Sequence, residues 1–495
     1  MRWSGSFPQE FSQRFSATLL LTALALGVAG DLLLRATPWG INVAIFVAAV
    51  AVAALGLRYV GGRTAAFSTG WLLVASFFAC LFAVRASETV QVLCFVAVLV
   101  SLCMASFALP DRRLRAAGLT AIAAHVVIAA TLSLGSLALV LARGIDYRLA
   151  TSSRHLRALP AIGRGFLVAA PVVGVFTGLF AAADVLFRDL LVDVLAFDAE
   201  TAWSHVALTL FIGWLAGSYA ASLVATPVPA VNAIEPPERI RLGGVEIGIL
   251  FGLVNAVFLA FVLVQFRYLF GGADRVEGAT TLTFAEYARR GFFELVIVAA
   301  LVVVLLLSSH WVLKDESRTR RLFVPLAAAL LVLVLVVLAS AAERMRLYME
   351  NYGLTELRLY TSIFMAWLLV MLLWLAATVL RGSRDRFAFG AFGSGLVLVV
   401  VTGALNTDAL IVRQNVSAAT ADRPLDIEYL VDLGPDGIPA LIGSLAGLSP
   451  DERCRVTTEA RERYADQGGD WRTWNYGRWN AARATRPNAA AGACE

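Results

Sequence analysis

Twelve long runs of apolar residues constrain the fold of this chain more than any other feature. Each run has 17 to 24 mainly apolar residues, and an α-helix needs about 20 such residues to cross about 30 Å of hydrocarbon. Segments of this length must be helical in lipid, because an open sheet edge would leave backbone groups unpaired. The runs cover residues 17–34, 41–57, 67–84, 90–109, 119–142, 166–183, 203–224, 247–266, 292–313, 322–342, 359–380 and 388–405. The predicted fold class is all-α, a polytopic transmembrane helical bundle.

The composition supports a membrane protein and argues against a nucleic-acid partner. Hydrophobic residues make up 59% of the chain and charged residues 16%, whereas soluble domains have about 45–50% and about 25%. The net charge of +5 comes mostly from arginines in short loops between apolar runs, where they orient helices and contact anionic headgroups. The lipid bilayer is therefore the predicted environment.

The loop charges leave the number of crossings open between 11 and 13. If all twelve runs cross, positive charges are divided almost equally between the two sides, which gives no orientation. If the run at 119–142 re-enters instead of crossing, a clear bias appears and the C-terminal tail lies outside. Both topologies fit the sequence.

The chain divides into four parts by composition. Residues 1–16 form a polar N-terminal segment, 17–405 the bundle, 406–485 a polar helical C-terminal appendage and 486–495 a segment predicted to be disordered.

Turn and capping signals predict several short helices in the appendage. Helices are predicted over 426–433 and 438–448, separated by the turn at 434–437. Ser449 and Glu452 have capping-box spacing and precede another helix.

The end of the appendage carries three tryptophans and leaves one disulfide open. A helix is predicted over 470–483, which would place Trp471, Trp474 and Trp479 on one face. These rings either pack on neighbouring tail helices or lie in the headgroup layer. Cys454 and Cys494 can pair only if the tail lies outside the cytosol.

Charges near the sixth apolar run form the first candidate site. Asp184 and Arg188 are four residues apart and can pair on a helix. With Asp189 and Asp193 they indicate either an amphipathic helix on the membrane surface or a cation or proton site lined by carboxylates.

The segment before the ninth run is the second candidate. Glu286 completes a capping box with Thr283, and Glu286, Arg290 and Glu294 follow at steps of four. Arg289 adds a second positive charge. The pattern fits a self-paired entrance to the membrane or a site for an anionic group.

A polar hairpin over 343–360 is the third candidate. Glu343 can pair with Arg346, and Tyr352 belongs to a group of tyrosines that also suits an aromatic belt. A binding surface and a belt with a helix cap both remain open.

Common catalytic motifs are missing from the sequence. It has no Walker A loop, no G-x-G-x-x-G opening a helix, no H-E-x-x-H and no G-x-S-x-G, and it has only four histidines. We therefore expect no metal, no cofactor and no catalytic residues, and an enzyme is the less favoured class.

Several strings resemble a family of bacterial multi-pass membrane proteins. They are YLFGG from Tyr268, FAEYARRGFFEL from Phe284, NYGLTELRLY from Asn351, NTDALIVRQN from Asn406, DIEYLVDLGPDGIPAL from Asp426 and DWRTWN from Asp470. The family is filed as a domain of unknown function numbered in the 4153/4173 range, and the resemblance covers roughly residues 165–480. It implies a multi-pass protein of the bacterial inner (cytoplasmic) membrane with no established catalytic residues. The family's recurrent positions are Tyr287, Arg289, Arg290, Tyr352, Glu356 and Arg358.

Three functions follow as hypotheses. The number of spans favours a transporter, channel or permease-like protein for an unknown solute. The alternative is a membrane scaffold or sensor that binds a protein partner through the tail and the polar hairpins. The third is a membrane-embedded enzyme on a lipid-linked substrate, with Arg289 and Arg290 as phosphate contacts.

Overall fold

The computed structural model describes the membrane helices and most of the tail. The described residues are 13–60, 66–106, 119–144, 199–225, 237–269, 292–314, 317–378, 380–382, 385–420, 425–465 and 469–486. They fall into two compact units. The first contains the described residues within Met1–Ser76, Ser101–Ala108 and Val127–Pro229, and the second those within Phe77–Val100, Leu109–Val126 and Ala230–Glu495.

Eleven long helices account for the apolar part of the described chain. They are α1 (Gln13–Leu34), α2 (Ile41–Val60), α3 (Ala66–Val84), α4 (Glu88–Ala105), α5 (Leu119–Gly144), α6 (Ala199–Ala225), α7 (Gly244–Leu269), α8 (Phe292–Val312), α9 (Ser317–Tyr352), α10 (Glu356–Thr378) and α11 (Asp385–Leu405). Eleven of the twelve apolar runs lie on these helices, and the run at 166–183 lies outside the described residues. The all-α membrane bundle is confirmed.

Among the described residues, the count of candidate spans is lower than the twelve that the sequence predicts. Within the described ranges, nine helices are long and apolar enough to cross a membrane, and the runs at 67–84 and 119–142 correspond to shorter apolar stretches at Ser68–Val84 and Val126–Ala138.

The exposed residues of α7 indicate that this helix contacts lipid. Along α7, Val245, Ile249, Leu253 and Val257 recur every four residues and are exposed, which is the pattern of a helix in contact with lipid.

Small residues bring α1 and α6 into close contact in the first unit. A Cβ added at Gly27 would overlap the backbone oxygen of Thr209, and one added at Gly213 would meet the backbone oxygen of Ala23. Interfaces of this type let two helix backbones approach closely enough for van der Waals packing to hold them in lipid.

We expect the Gly27→Ala substitution to destabilise the bundle by about 1–3 kcal/mol, because the extra methyl group must push the two backbones apart. Gly56→Ala on α2 is the matched control, since a Cβ there meets no atom of a described residue within 4 Å and alanine favours the helix. Thermal unfolding in detergent, followed by size-exclusion chromatography, measures both. Equal unfolding temperatures for the two variants would contradict the close contact.

Helices α7 to α11 form the bundle of the second unit around one apolar core. Leu330, Val334 and Leu375 are among its fully buried side chains. Two polar contacts tie α7 to α9: Asn255 Nδ2 donates to the Leu326 oxygen at 3.0 Å, and Gln265 accepts from Ser340. Polar side chains inside these spans thus act between helices.

The described part of the tail contains five short α-helices around a second apolar core. They are α12 (Thr407–Ser417), α13 (Ile427–Asp432), α14 (Ile438–Gly443), α15 (Pro450–Tyr464) and α16 (Tyr476–Ala484). Ser449 and Glu452 form the predicted capping box of α15. "The tail" below means the described residues of 406–486.

The predicted helix over 470–483 is wrong in one respect. Residues Trp471–Thr473 form a 3₁₀ turn, and α16 begins only at Tyr476. The break lies at Asn475, whose extended backbone caps α16 and whose side chain is bonded elsewhere. Trp471, Trp474 and Trp479 are all exposed, so they do not pack into the tail core.

Candidate functional site at the junction of tail and membrane helices

The short loop between α9 and α10 is built into the tail. Leu354 belongs to the apolar core of the tail, together with Ile411 and Leu430. Its N–H donates to Asn415 Oδ1 at 2.8 Å, and its oxygen accepts from Asn415 Nδ2 at 2.7 Å. One side-chain amide thus satisfies both backbone groups of a loop residue, which fixes the loop against α12.

The start of α10 is held by a second tail residue. The Glu356 N–H donates to the Tyr429 hydroxyl at 2.9 Å. Burial raises the pKa of this tyrosine, so the hydroxyl stays neutral. The first N–H groups of a helix have no acceptor within the helix. Tyr429 supplies an acceptor for one of these groups at the start of α10.

A second loop, between α3 and α4, is held in the same way. Asp436 Oδ2 accepts from the N–H groups of Ala86 at 2.7 Å and Ser87 at 3.1 Å. Asn475 Nδ2 donates to the oxygens of Phe82 at 2.6 Å and Arg85 at 2.9 Å. A carboxylate at a helix N-terminus is favourable for both hydrogen bonding and the helix dipole.

Arg85 connects this loop to the end of α11. Its guanidinium donates to the oxygens of Gly403 at 2.6 Å and Ala404 at 3.2 Å. The end of α3, the start of α4, the end of α9, the start of α10 and the end of α11 therefore all meet the tail. We call this region, comprising residues 85–87, 353–356, 406–408, 415, 429, 434–437 and 475, the junction.

Two buried carboxylates lie in the junction. Asp408 is fully buried and Asp436 is 4% exposed. Oδ2 of Asp408 and Oδ1 of Asp436 have no hydrogen-bond partner among the residues that the structure describes. A buried carboxylate oxygen without a partner costs free energy when the group is ionised. Ionisation of either side chain in the junction is therefore unfavourable.

The environment of Asp408 favours its protonated form. Its pKa is raised to about 7, first by burial and then by the negative charges of Asp436 and Glu356, while Thr407 and Arg85 lower it. Burial also raises the pKa of Asp436, against its two backbone amide donors and the charges of Arg85 and Arg478. Asp408 therefore changes its charge near neutral pH.

A chain of hydroxyl groups leads from Asp408 towards the α3–α4 loop. Thr407 Oγ1 donates to Asp408 Oδ1 at 3.2 Å. The Tyr360 hydroxyl lies 2.9 Å from Thr407 Oγ1 and 3.5 Å from Ser87 Oγ. Protonation of Asp408 is thus linked by hydrogen bonds to the α3–α4 loop and, through Tyr360, to α10.

The backbone of α16 packs directly on the second carboxylate. A Cβ added at Gly477 would overlap Asp436 Oδ1. Only a glycine lets the α16 backbone approach Asp436 this closely. Asp436 cannot move aside without losing its hydrogen bonds from the N–H groups of Ala86 and Ser87.

Some residues predicted from the sequence lie in the junction or directly beside it. Tyr352 ends α9, Glu356 begins α10 and Arg358 follows in the first turn. Arg358 Nη1 donates to the oxygens of Tyr352 at 2.9 Å and Gly353 at 2.5 Å, and its guanidinium lies over the Tyr348 ring at 4.1 Å.

Other predicted residues lie apart or are not described. Arg346 forms ion pairs with Glu343 and Glu350 on the exposed end of α9. Glu294 is exposed in the first turn of α8. The remaining candidates lie outside the described residues: Asp184, Arg188, Glu286, Tyr287, Arg289 and Arg290.

Sequence reasoning missed the central residues of the junction. Asp436 was part of a turn signal, and Asp408 and Asn415 belonged to a string that only marked the family resemblance. The sequence around these residues gives only a weak signal for a site. Whether a polar residue in a polar segment is buried depends on distant parts of the chain.

A separate polar cluster lies in the first unit. Asp31 on α1 is bonded to Arg35, and its Oδ2 lies 2.5 Å from His205 Nδ1 on α6. This cluster ties the two helices together. Among the residues the structure describes, no group of three or more histidine, cysteine, aspartate or glutamate side chains could hold a metal ion.

Comparison with protein families identifies a family to which the chain is similar. A family model described as a domain of unknown function, DUF4153, matches residues 72–443. The matched range contains both loops, Asp408 and Asp436, and it ends before the segment 470–475. No curated protein and no solved structure matches the chain.

Proposed function

The chain belongs to the DUF4153 family, and we propose that this multi-pass membrane protein is a sensor in which protonation of Asp408 controls how tightly the tail is held at the junction. One observation carries the proposal: a fully buried carboxyl group with a pKa of about 7 lies where the tail meets the membrane helices. One of its oxygens has no hydrogen-bond partner within the described part of the chain. The predicted alternative of a scaffold or sensor that acts through its tail is therefore favoured over the other two hypotheses.

The charge distribution gives the direction of the response. Below about pH 7 Asp408 is neutral and the junction is closed. Above that pH a buried negative charge faces Asp436 and Glu356, with Arg85 as the opposing cation. Like charges at short distance in a poorly solvated site repel strongly, so we expect the junction to loosen and to admit water.

Hydrogen exchange tests this response. We expect the amides of Ala86, Ser87, Leu354 and Glu356 to exchange at least ten times faster at pH 8.5 than at pH 6, after correction for intrinsic exchange. In the Asp408→Asn variant the same amides should stay protected at both pH values. Asp432→Asn removes an exposed carboxylate of the tail and serves as the control. Equal pH dependence in the wild type and Asp408→Asn would rule the sensor out.

We further propose that the tail faces the extracytoplasmic side of a bacterial inner membrane. Cys454 is disulfide-bonded, whereas Cys80, Cys94 and Cys103 are free thiols. Disulfides persist in oxidising compartments and are rare in the cytosol, so the bonded cysteine supports an external tail. An external tail also suits a sensor of external pH.

Labelling with a membrane-impermeant maleimide checks the side of the tail. We expect a variant that keeps Cys454 as its only cysteine to be labelled in intact cells. A variant that keeps both Cys454 and Cys494 should need reductant first. Labelling only after lysis would place the tail in the cytosol and would leave the disulfide without a role.

A transporter is the second candidate, and the number of spans favours it. Nine described helices could cross a membrane, whereas anchoring a tail needs only one. Proton flux in liposomes loaded with a pH-sensitive dye separates the two functions. A transporter that used Asp408 would lose flux in Asp408→Asn, whereas a sensor would carry no flux in either form. Deleting the whole tail is a poor test, because it would also remove the partners of Ala86, Ser87 and Glu356.

A further inference from the structure

A cavity lies between the α9–α10 loop and the tail, beside the junction. Its volume is about 280 Å³, and its lining includes Tyr352, Arg358, Asn415, Asp426 and Tyr429. The loop connects two helices that can span the membrane. Because the apolar run of α9 ends at residue 342 and that of α10 begins at residue 359, the cavity lies outside the hydrocarbon, close to where α10 enters it.

The guanidinium of Arg358 is held in place, but only one of its nitrogens donates hydrogen bonds to described residues. Nη1 is bonded to the oxygens of Tyr352 and Gly353, and the Tyr348 ring lies beneath the guanidinium. Nε and Nη2 donate to no atom among the residues that the structure describes. A held guanidinium with free N–H groups is suited to bind a phosphate or carboxylate, because two parallel hydrogen bonds form without further ordering of the side chain.

A negative charge lines the same cavity. Asp426 caps α13 by accepting from the Tyr429 N–H at 3.1 Å, and it forms no ion pair with Arg358 or any other described residue. The rings of Tyr352 and Tyr429 also line the cavity. A carboxylate beside aromatic rings favours an ammonium group, through charge and through cation–π attraction.

We propose that this cavity binds a small zwitterion that carries a phosphate and an ammonium group, of the phosphoethanolamine class. Arg358 would hold the phosphate, and Asp426 with the tyrosines would hold the ammonium group. Pockets for drug-sized ligands have volumes of about 300–1,000 Å³. The cavity is slightly smaller than these pockets, so it can hold a molecule of the size of a lipid headgroup. The ligand is either free in solution or the headgroup of a lipid. The site does not depend on the titration of Asp408.

Binding of phosphoethanolamine to the purified full chain in detergent tests the site by calorimetry. We expect Arg358→Gln and Asp426→Asn each to weaken binding at least tenfold. Arg413→Gln changes an exposed arginine of α12 that does not line the cavity, and it should bind like the wild type. Asp426→Asn keeps a good helix cap, so it tests the charge even if Arg358→Gln disturbs the loop.

Native mass spectrometry identifies the source of the ligand. Retention of phosphatidylethanolamine over phosphatidylglycerol, lost in Asp426→Asn, would indicate a lipid headgroup. Binding of free phosphoethanolamine without such retention would indicate a soluble ligand. Inorganic phosphate binding as tightly as phosphoethanolamine, with no effect of Asp426→Asn, would overturn the zwitterion site. So would the absence of binding in both experiments.

Discussion

Replacing Asp408 by asparagine is expected to stabilise the protein at pH 8 and to leave its stability nearly unchanged at pH 4. The pKa of this carboxyl group is about 7 in the folded protein and 3.8 without the surrounding structure. The folded state therefore binds the proton more tightly than the unfolded state, and stability falls as the pH rises from about 4 to about 7. Asparagine has no charge to bury, so this loss disappears in the variant.

The size of the effect follows from the pKa difference. Each pKa unit corresponds to about 1.4 kcal/mol, so the two proteins should differ by roughly 4 kcal/mol above pH 7. Asparagine also keeps an oxygen that can accept from Thr407. Thermal unfolding in detergent between pH 4 and pH 8.5 measures the difference. Parallel curves for the wild type and the variant, with no divergence towards high pH, would contradict a buried Asp408 that titrates near neutral pH.

The membrane helices could be predicted from the sequence because lipid leaves few alternatives. A run of about 20 apolar residues must form a helix in hydrocarbon, and eleven of the runs lie on helices. The capping box at Ser449 and Glu452 could also be predicted, because all its hydrogen bonds lie within four residues. In both cases the information is local.

The junction could not be predicted because its contacts join distant parts of the chain. Asp436 accepts from residues about 350 positions earlier, and Asn475 donates to residues about 390 positions earlier. Periodicity cannot show such pairs. The same contacts explain the error at 470–483, because Asn475 leaves the helical path so that its amide reaches the end of α3.

Removing the carboxylate of Asp436 is expected to weaken the second loop of the junction strongly. In Asp436→Ala the N–H groups of Ala86 and Ser87 lose their acceptor in a buried setting. An unsatisfied buried donor costs about 1–3 kcal/mol, so we expect a loss of about 3 kcal/mol or more at pH 5. Asp432→Ala is the matched control, because Asp432 forms an exposed ion pair with Arg463 and such pairs contribute at most about 1 kcal/mol.

The more conservative Asp436→Asn variant separates the hydrogen bonds from the charge. Its side-chain oxygen can still accept from Ala86 and Ser87, but the negative charge beside Asp408 is gone. Because that charge raises the pKa of Asp408, its removal should lower the pH at which amide protection at Leu354 and Glu356 is lost. With the interaction present, the carboxyl group of Asp408 ionises at a lower pH in Asp436→Asn, and the midpoint of the exchange transition moves down. An unchanged midpoint would mean that Asp408 responds to burial alone and that the two carboxylates do not act together.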